Sequence, residues 1–352
     1  MLFSSKNKGF FVDRNEHSWF LAKTSAQSSP LVVERLAEVP VGDQTALAQV
    51  IQQFTGGRSA GGFLHAVCAI NPPRRLLRRA SADMKRAKDA TYFNEICIQQ
   101  FRIEPDKYAI AVLSGGQGTL QDAGKLTEKE LLFCGIPSDD LNVAQDDLLA
   151  SGIYPTRLEL GSVAVLGSCV NYLNHTKQKA PVLLLEIGND TTHSSIVSAN
   201  CVEACRPIPF GIEAMIPVVQ KKLGLKDEES ARKLFYSNTF DFTSMGAELV
   251  QRLLKELQSS IGFFEVQTGQ SIGHLVCTML PDKLSWIESS IAGALGLSSI
   301  RLDLRPWLQA SQITFSDNAA QTNLDARWFG LLSLLVSHQN AAANGPLPEK
   351  KD

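Results

Sequence analysis

Two short polar segments hold the residue types best placed to do chemistry. The first is Val12-Asp13-Arg14-Asn15-Glu16-His17, between the apolar stretches Phe10 to Val12 and Ser18 to Lys23. The second is Glu186-Ile187-Gly188-Asn189-Asp190-Thr191-Thr192, between the apolar run from Pro181 and the run Ser194 to Ala199. Each reads as strand, polar turn, returning strand. A carboxylate at such a strand end can hold a divalent cation through water. The backbone N–H groups and hydroxyls of the second turn can face a phosphate, because Gly188 lets the chain approach closely. An ordinary hairpin with a polar turn has the same composition, so the meaning of both turns depends on the elements around them.

Those elements alternate. Leu31 to Leu36 reads as a third strand and Thr45 to Phe54 as a helix. Phe63 to Ile70 is an apolar run stopped by Asn71-Pro72-Pro73. Strands are expected at Tyr108 to Leu113 and Leu131 to Ile136, with Pro137-Ser-Asp-Asp140 capping a helix to about Ala150. A loop and strand over 152–160 precede a helix from Ser162 to Leu173. After the second hairpin, Gly211 to Leu223 has helical spacing, provided Pro217 sits in the first turn. Met245, Leu249, Leu253, Leu257, Ile261 and Phe264 form a helical stripe. His274 to Met279 reads as a strand, Asp282 to Leu295 as a helix, and Ile300 to Leu304 as a final strand. This is an α/β pattern. Phe10 to Lys23 and Val182 to Ala199 are alike enough to suggest two related halves, whose turns would face each other across one cleft.

Composition narrows the function classes. The chain has 352 residues, enough for two domains, with 44% hydrophobic and 20% charged residues. Lys plus Arg is 34 against 36 Asp plus Glu, a net charge of −2 that argues against nucleic-acid binding. Seven dispersed Cys without a C-x-x-C pair read as reduced, buried thiols of a cytoplasmic protein. No leader or membrane span is evident, so membrane association is expected only through a partner.

The order of elements resembles the PilM family of type IV pilus assembly proteins, in the actin-like ATPase superfamily and related to FtsA. The resemblance covers nearly the whole chain. Val12-Asp13 stands where the family has V-D-I-G-x-S-S. Leu132-Phe-Cys-Gly-Ile-Pro137 and the helix and strand after it resemble its G-L-x-P-x-x-x-D/E segment. Glu186-Ile-Gly-Asn-Asp-Thr-Thr192 matches D-I-G-x-x-x-T, Arg206-Pro-Ile-Pro-Phe-Gly211 matches R-x-I-x-x-G, and Glu248 to Gln267 resembles the S-L-D-Y-Y-x-x-Q helix. The resemblance implies an actin-like (ribonuclease H-like) two-domain α/β fold. Domain I would span 1–178, with an inserted small subdomain at about 89–155, domain II 179–336, and a disordered tail 337–352. It also implies a nucleotide site drawing on Asp13, Asn15, Glu186, Gly188, Asn189, Asp190, Thr191 and Thr192, with Asp13 and Glu186 toward magnesium if Mg-ATP binds.

The departures from the family fall on that site. Asn15 replaces the first-turn Gly, and Glu186 replaces Asp. Ala231-Arg-Lys-Leu-Phe235 puts Arg232 and Phe235 where the family's Glu and Lys meet ribose and base. Met279-Leu280-Pro281 replaces a Gly-Gly-Gly turn. The site therefore reads as vestigial, the cofactor as none or weak Mg-ATP, and the enzyme question as open, leaning toward no activity. The implied role is a scaffold, peripheral at the inner membrane, that binds the cytoplasmic N-terminal peptide of a PilN-like protein through residues about 89–155 and joins a pilus or type II secretion-like platform. An active actin-like ATPase is the alternative, and self-association is a further expectation.

Other features have ordinary explanations. Ser114-Gly-Gly-Gln-Gly-Thr119 reads as a hairpin turn, because Gly118 to Gly124-Lys125 is one residue too long for a P-loop and Leu126 replaces Ser/Thr. Arg74, Arg75, Arg78, Arg79, Lys85, Arg86 and Lys88 read as a solvated helix face, or else as a docking patch for an anionic surface. His65 and His274 read as core residues, and the four Trp as packing groups.

Overall fold

Both polar turns join antiparallel strands. In the computed structural model, which describes residues 8–56, 62–89, 91–237 and 239–344, β1 (Gly9–Arg14) pairs with β2 (Ser18–Thr24), placing Asp13 opposite Phe20. Further along, β10 (Val182–Ile187) pairs with β11 (Thr192–Val197), placing Glu186 opposite His193.

Each hairpin is extended by the same scheme. In the first sheet, β2 is antiparallel to β3 (Leu31–Pro40), while β1 is parallel to β4 (Leu64–Ile70) and β4 to β9 (Ile153–Leu160). A parallel edge strand, β15 (Ile313–Phe315), adds to β3. In the second sheet, β11 is antiparallel to β12 (Val202–Ile208), while β10 is parallel to β13 (His274–Thr278) and β13 to β14 (Ser298–Ser299). The likeness between the two halves of the sequence is thus a repeated pairing order. A third sheet, all antiparallel, has the order β5 (Leu76–Ser81), β8 (Glu130–Pro137), β6 (Tyr108–Ser114), β7 (Leu120–Gln121).

The described parts divide into two compact units. One draws on Met1–Pro72, Asp139–Ser168 and Leu302–Asp352, the other on Pro73–Ser138 and Cys169–Arg301. The first holds the six-stranded sheet with α1 (Gln44–Thr55), α3 (Ser138–Ala150), the start of α4 (Gly161–His175), α10 (Leu304–Ala310), α11 (Asp317–Ala320) and α12 (Phe329–Asn344). Its aromatic packing includes Phe20 edge-on to Trp328 at 5.0 Å and Trp307 against Phe329 at 5.6 Å.

The second unit holds the other two sheets with α2 (Tyr92–Glu95), α5 (Ile216–Leu223), α6 (Glu228–Phe235), α7 (Gly246–Leu249), α8 (Gln251–Thr268) and α9 (Trp286–Leu295). Every residue of β10 and β11 is buried, which is why Val182 to Leu185 is a continuous apolar run and not an alternating one. Leu183, Leu185 and Leu275 pack with Val219, Phe235, Leu253, Leu257 and Ile291 from the helices. Pro217 lies in the first turn of α5, where its missing N–H costs nothing. The four-stranded sheet has its own core, with Phe133 between Phe93 and Phe101.

Several expectations need correction. The compact units cut across the boundaries 1–178 and 179–336, because 73–138 groups with the second half and 139–168 with the first. The span 89–155 is divided the same way. Residues 337–344 continue α12 and are not a disordered tail; 345–352 lie outside the described residues. Ile300 to Leu304 is not a strand: Leu304 begins α10, and the short strands nearby are β14 and β15. Arg78 and Arg79 lie on strand β5 and not on a helix. His65 is exposed, stacking on Tyr154 at 4.9 Å, and His274 is half-buried. The turn 114–119 does close a hairpin, β6 with β7. All seven Cys are free, six of them buried; burial raises the thiol pKa of Cys68, Cys169 and Cys205 to about 12, as expected of inert core thiols.

Candidate functional site

The first turn is closed by its own side chains. Asn15 Oδ1 accepts hydrogen bonds from the His17 and Ser18 N–H groups at 2.9 and 2.8 Å, an Asx turn that does the local work of a glycine. Arg14 reaches Asp147 at 3.1 Å and lies over the Trp19 ring at 5.4 Å. Asp13 is buried at the end of β1, where Asn71 Nδ2 donates to its Oδ1 at 3.0 Å. On the other side, a Cβ on Gly330 would overlap Asp13 Oδ2. Glycine at the start of α12 is therefore what lets that helix come so near the carboxylate.

The second turn also carries internal hydrogen bonds. Gly188 N–H donates to Thr191 O at 3.0 Å, and the Thr192 hydroxyl donates to Phe210 O at 2.7 Å. The Gly188 and Asn189 carbonyls accept from the Ile212 and Glu213 N–H groups. A Cβ at Gly211 would strike both of those carbonyls, so Gly211 permits this close seating of the turn. Asp190 is exposed, and Thr191 is half-buried.

Glu186 carries the decisive contact. It is buried, and Arg75 Nη2 meets its Oε2 at 3.3 Å, with the two side chains only 3% and 2% exposed. His193, the register partner of Glu186, is buried beside them and shares a 3.1 Å hydrogen bond between Nε2 and the Pro73 carbonyl. Burial first, then the Arg75 charge, holds the His193 pKa well below the ordinary 6.5; the Arg78 charge acts the same way and the Pro73 carbonyl opposes it. A metal ion held directly by this Glu186 oxygen would compete with a guanidinium already seated on it. Among the described residues no cluster of three or more His, Cys, Asp or Glu could hold a metal.

The other departures have definite places in the second unit. Phe235 is 1% exposed and packs on Phe242 and Trp286 at 5.2 and 5.8 Å. Arg232 pairs with Glu213. Met279, standing in place of the family's glycines, has φ of 67°, the left-handed conformation that glycine adopts freely and a side chain adopts at a cost of about 1–2 kcal/mol. The backbone there keeps a glycine-like shape although the residue does not.

Sequence reasoning missed three functional neighbours. Asn71 was legible as a polar residue ending an apolar strand. His193 could have been found from its register opposite Glu186. Arg75 could not be told from its basic neighbours, because only burial sets it apart.

A solved structure described as a PilM-PilN type IV pilus biogenesis complex matches 94% of this chain and 98% of its own chain, with a TM-score of 0.64 and 15% identity. The fold is actin-like. Two further solved structures are similar at lower scores. One is a Bacteroides thetaiotaomicron protein with an actin-like ATPase fold and unknown function (TM-score 0.45, 8% identity, 89% of this chain and 98% of that chain). The other is an archaeal actin homologue (TM-score 0.43, 9% identity, 95% and 99%). No protein-family model and no curated protein matches the sequence. No helix among the described residues is long and apolar enough to cross a membrane.

Two outcomes follow for this site. Arg75→Ala strands a buried carboxylate and is expected to cost about 3–5 kcal/mol in denaturant melts, whereas the double change Arg75→Met/Glu186→Leu recovers most of that loss. Equal loss in both would contradict an ion pair. Below about pH 6.5 the unfolded chain protonates His193 while the folded chain resists it, so stability falls as pH falls. His193→Gln is expected to flatten that slope between about pH 7 and 5 in thermal melts; an unchanged slope would show that His193 does not contribute.

Proposed function

We propose that this protein is a PilM-like scaffold of an inner-membrane assembly platform and not an ATPase. It binds the cytoplasmic N-terminal segment of a PilN-like single-span protein and so becomes peripheral to the inner membrane from the cytoplasmic side. The platform is that of a type IV pilus or a type II secretion-like system. Support for the partner comes from the fold shared over 94% of the chain with the PilM-PilN structure. Support for weak or lost nucleotide binding comes from the second turn, where Arg75 compensates Glu186 and the Gly188 N–H and the Thr192 hydroxyl are taken up internally.

The single observation that carries the reading is the Arg75–Glu186 pair. A fixed guanidinium supplies internally the positive charge that a metal-bound nucleotide would bring, and it needs no ligand to do so. What remains for the fold is recognition by surface. Within 89–155, the part that belongs to the second unit has Ile98 and Leu120 as exposed apolar side chains that a peptide's apolar residues could cover.

Calorimetric titration of the full chain with the synthetic N-terminal segment of the PilN-like protein from the same genome is expected to give one-site binding. Ile98→Ser and Leu120→Ser, both at exposed positions of the second unit, are expected to weaken it without lowering the melting temperature. No heat with a folded chain, or binding indifferent to both changes, would contradict the proposal.

A further inference from the structure

A groove of 420 Å³ runs along β12, the edge strand of the five-stranded sheet, beneath α8. Ile196 and Ala204 stand opposite each other in the β11–β12 register and contribute to its lining. Phe263 and Phe264 of α8 line the opposite side. Phe263 is 66% exposed and Val266, one turn on, 87% exposed, so apolar surface continues out of the groove along the helix.

The charges around this groove are unevenly matched. Arg206 is held by Glu256 at 2.9 Å and by Ser260 at 2.7 Å. Glu203 is held by Arg79 at 3.2 Å and by Ser198 at 2.8 Å. Arg78, projecting from β5, has no carboxylate or hydrogen-bond acceptor among the described residues. Burial and the neighbouring Arg206 both lower its pKa, burial the more. A half-buried guanidinium without a counter-ion is an unsatisfied group, and a carboxylate delivered from outside would satisfy it with paired N–H···O bonds.

We infer that this groove is a docking site for an acidic peptide segment of a partner protein, which seats an apolar side chain against Phe263 and Ile196 and a Glu or Asp carboxylate on Arg78. A concave site with one unmatched arginine among paired charges fits a single carboxylate and its apolar neighbour; an anionic lipid surface would call for a broad basic face. The groove lies outside the span 89–155, so this inference does not depend on the scaffold reading.

The test uses the full chain and two fluorescein-labelled peptides of equal length, one alternating leucine and glutamate, the other leucine and glutamine. Fluorescence anisotropy is expected to show the glutamate peptide binding at least about tenfold more tightly, since hydrogen bonds to charged groups contribute about 1.5–3 kcal/mol. Arg78→Gln removes that preference, Arg78→Lys keeps part of it, and Phe263→Ser weakens both peptides by a similar factor. Phe263 is exposed, and Arg78, though half-buried, has no hydrogen bond to lose among the described residues, so the melting temperature is expected to stay unchanged. Equal affinity for the two peptides, no binding of either, or a preference that survives Arg78→Gln would overturn the inference. So would Arg78-dependent sedimentation with anionic vesicles in the absence of peptide preference, which would assign the groove to lipid. A concentration-dependent dimer abolished by Phe263→Ser would assign it to a second copy of the chain and overturn it equally.

Discussion

A buried ion pair, Arg75 with Glu186, sets the character of this molecule. Both groups are almost fully withdrawn from water, and each alone would be costly there. Together they are tolerable, because a guanidinium and a carboxylate at 3.3 Å compensate each other. The pair fixes the segment after the Asn71-Pro-Pro stop onto the second hairpin, so β5 and the sheet it begins are anchored beside β10 and β11. Arg79 repeats the device on the same strand, donating to the Val202 and Glu203 carbonyls at 2.8 and 3.1 Å. Chain that the sequence order assigns to the first domain thereby packs with the second.

In an actin-like fold the hairpin turns are the natural place for phosphate and metal, since strand ends converge there with free N–H groups. Here each turn has hydrogen bonds of its own. Asn15 accepts from two N–H groups of the first, and in the second the Gly188 N–H donates to Thr191 O and the Thr192 hydroxyl to Phe210 O. Met279 retains a left-handed backbone without a glycine, the mark of a loop shape kept while its residue changed.

Much of this was legible in the sequence. The two hairpins, the strand stopped at Asn71, the α3 helix and the α8 stripe all followed from apolar spacing and breaker residues, and their order pointed to the fold. What escaped had no local signal. Leu76 to Ser81 is a strand whose adjacent Arg78 and Arg79 imitate a solvated helix, because long side chains paired across sheets look identical in sequence to side chains in water. Leu304 begins a helix where β-branched and aliphatic residues promised a strand. Arg75 is distinguished from Arg74 and Arg78 only by the depth at which the fold places it, and depth is a tertiary property.

The central claim is that the charge at Glu186 is already compensated, leaving no place for a metal-bound nucleotide. Titrating Mg-ATP into the full chain by calorimetry tests this most directly. With Arg75 seated, no binding heat should appear up to millimolar nucleotide. Saturable micromolar binding by the unaltered protein, with turnover, would show that the ion pair yields to ligand and that the fold still works as an ATPase.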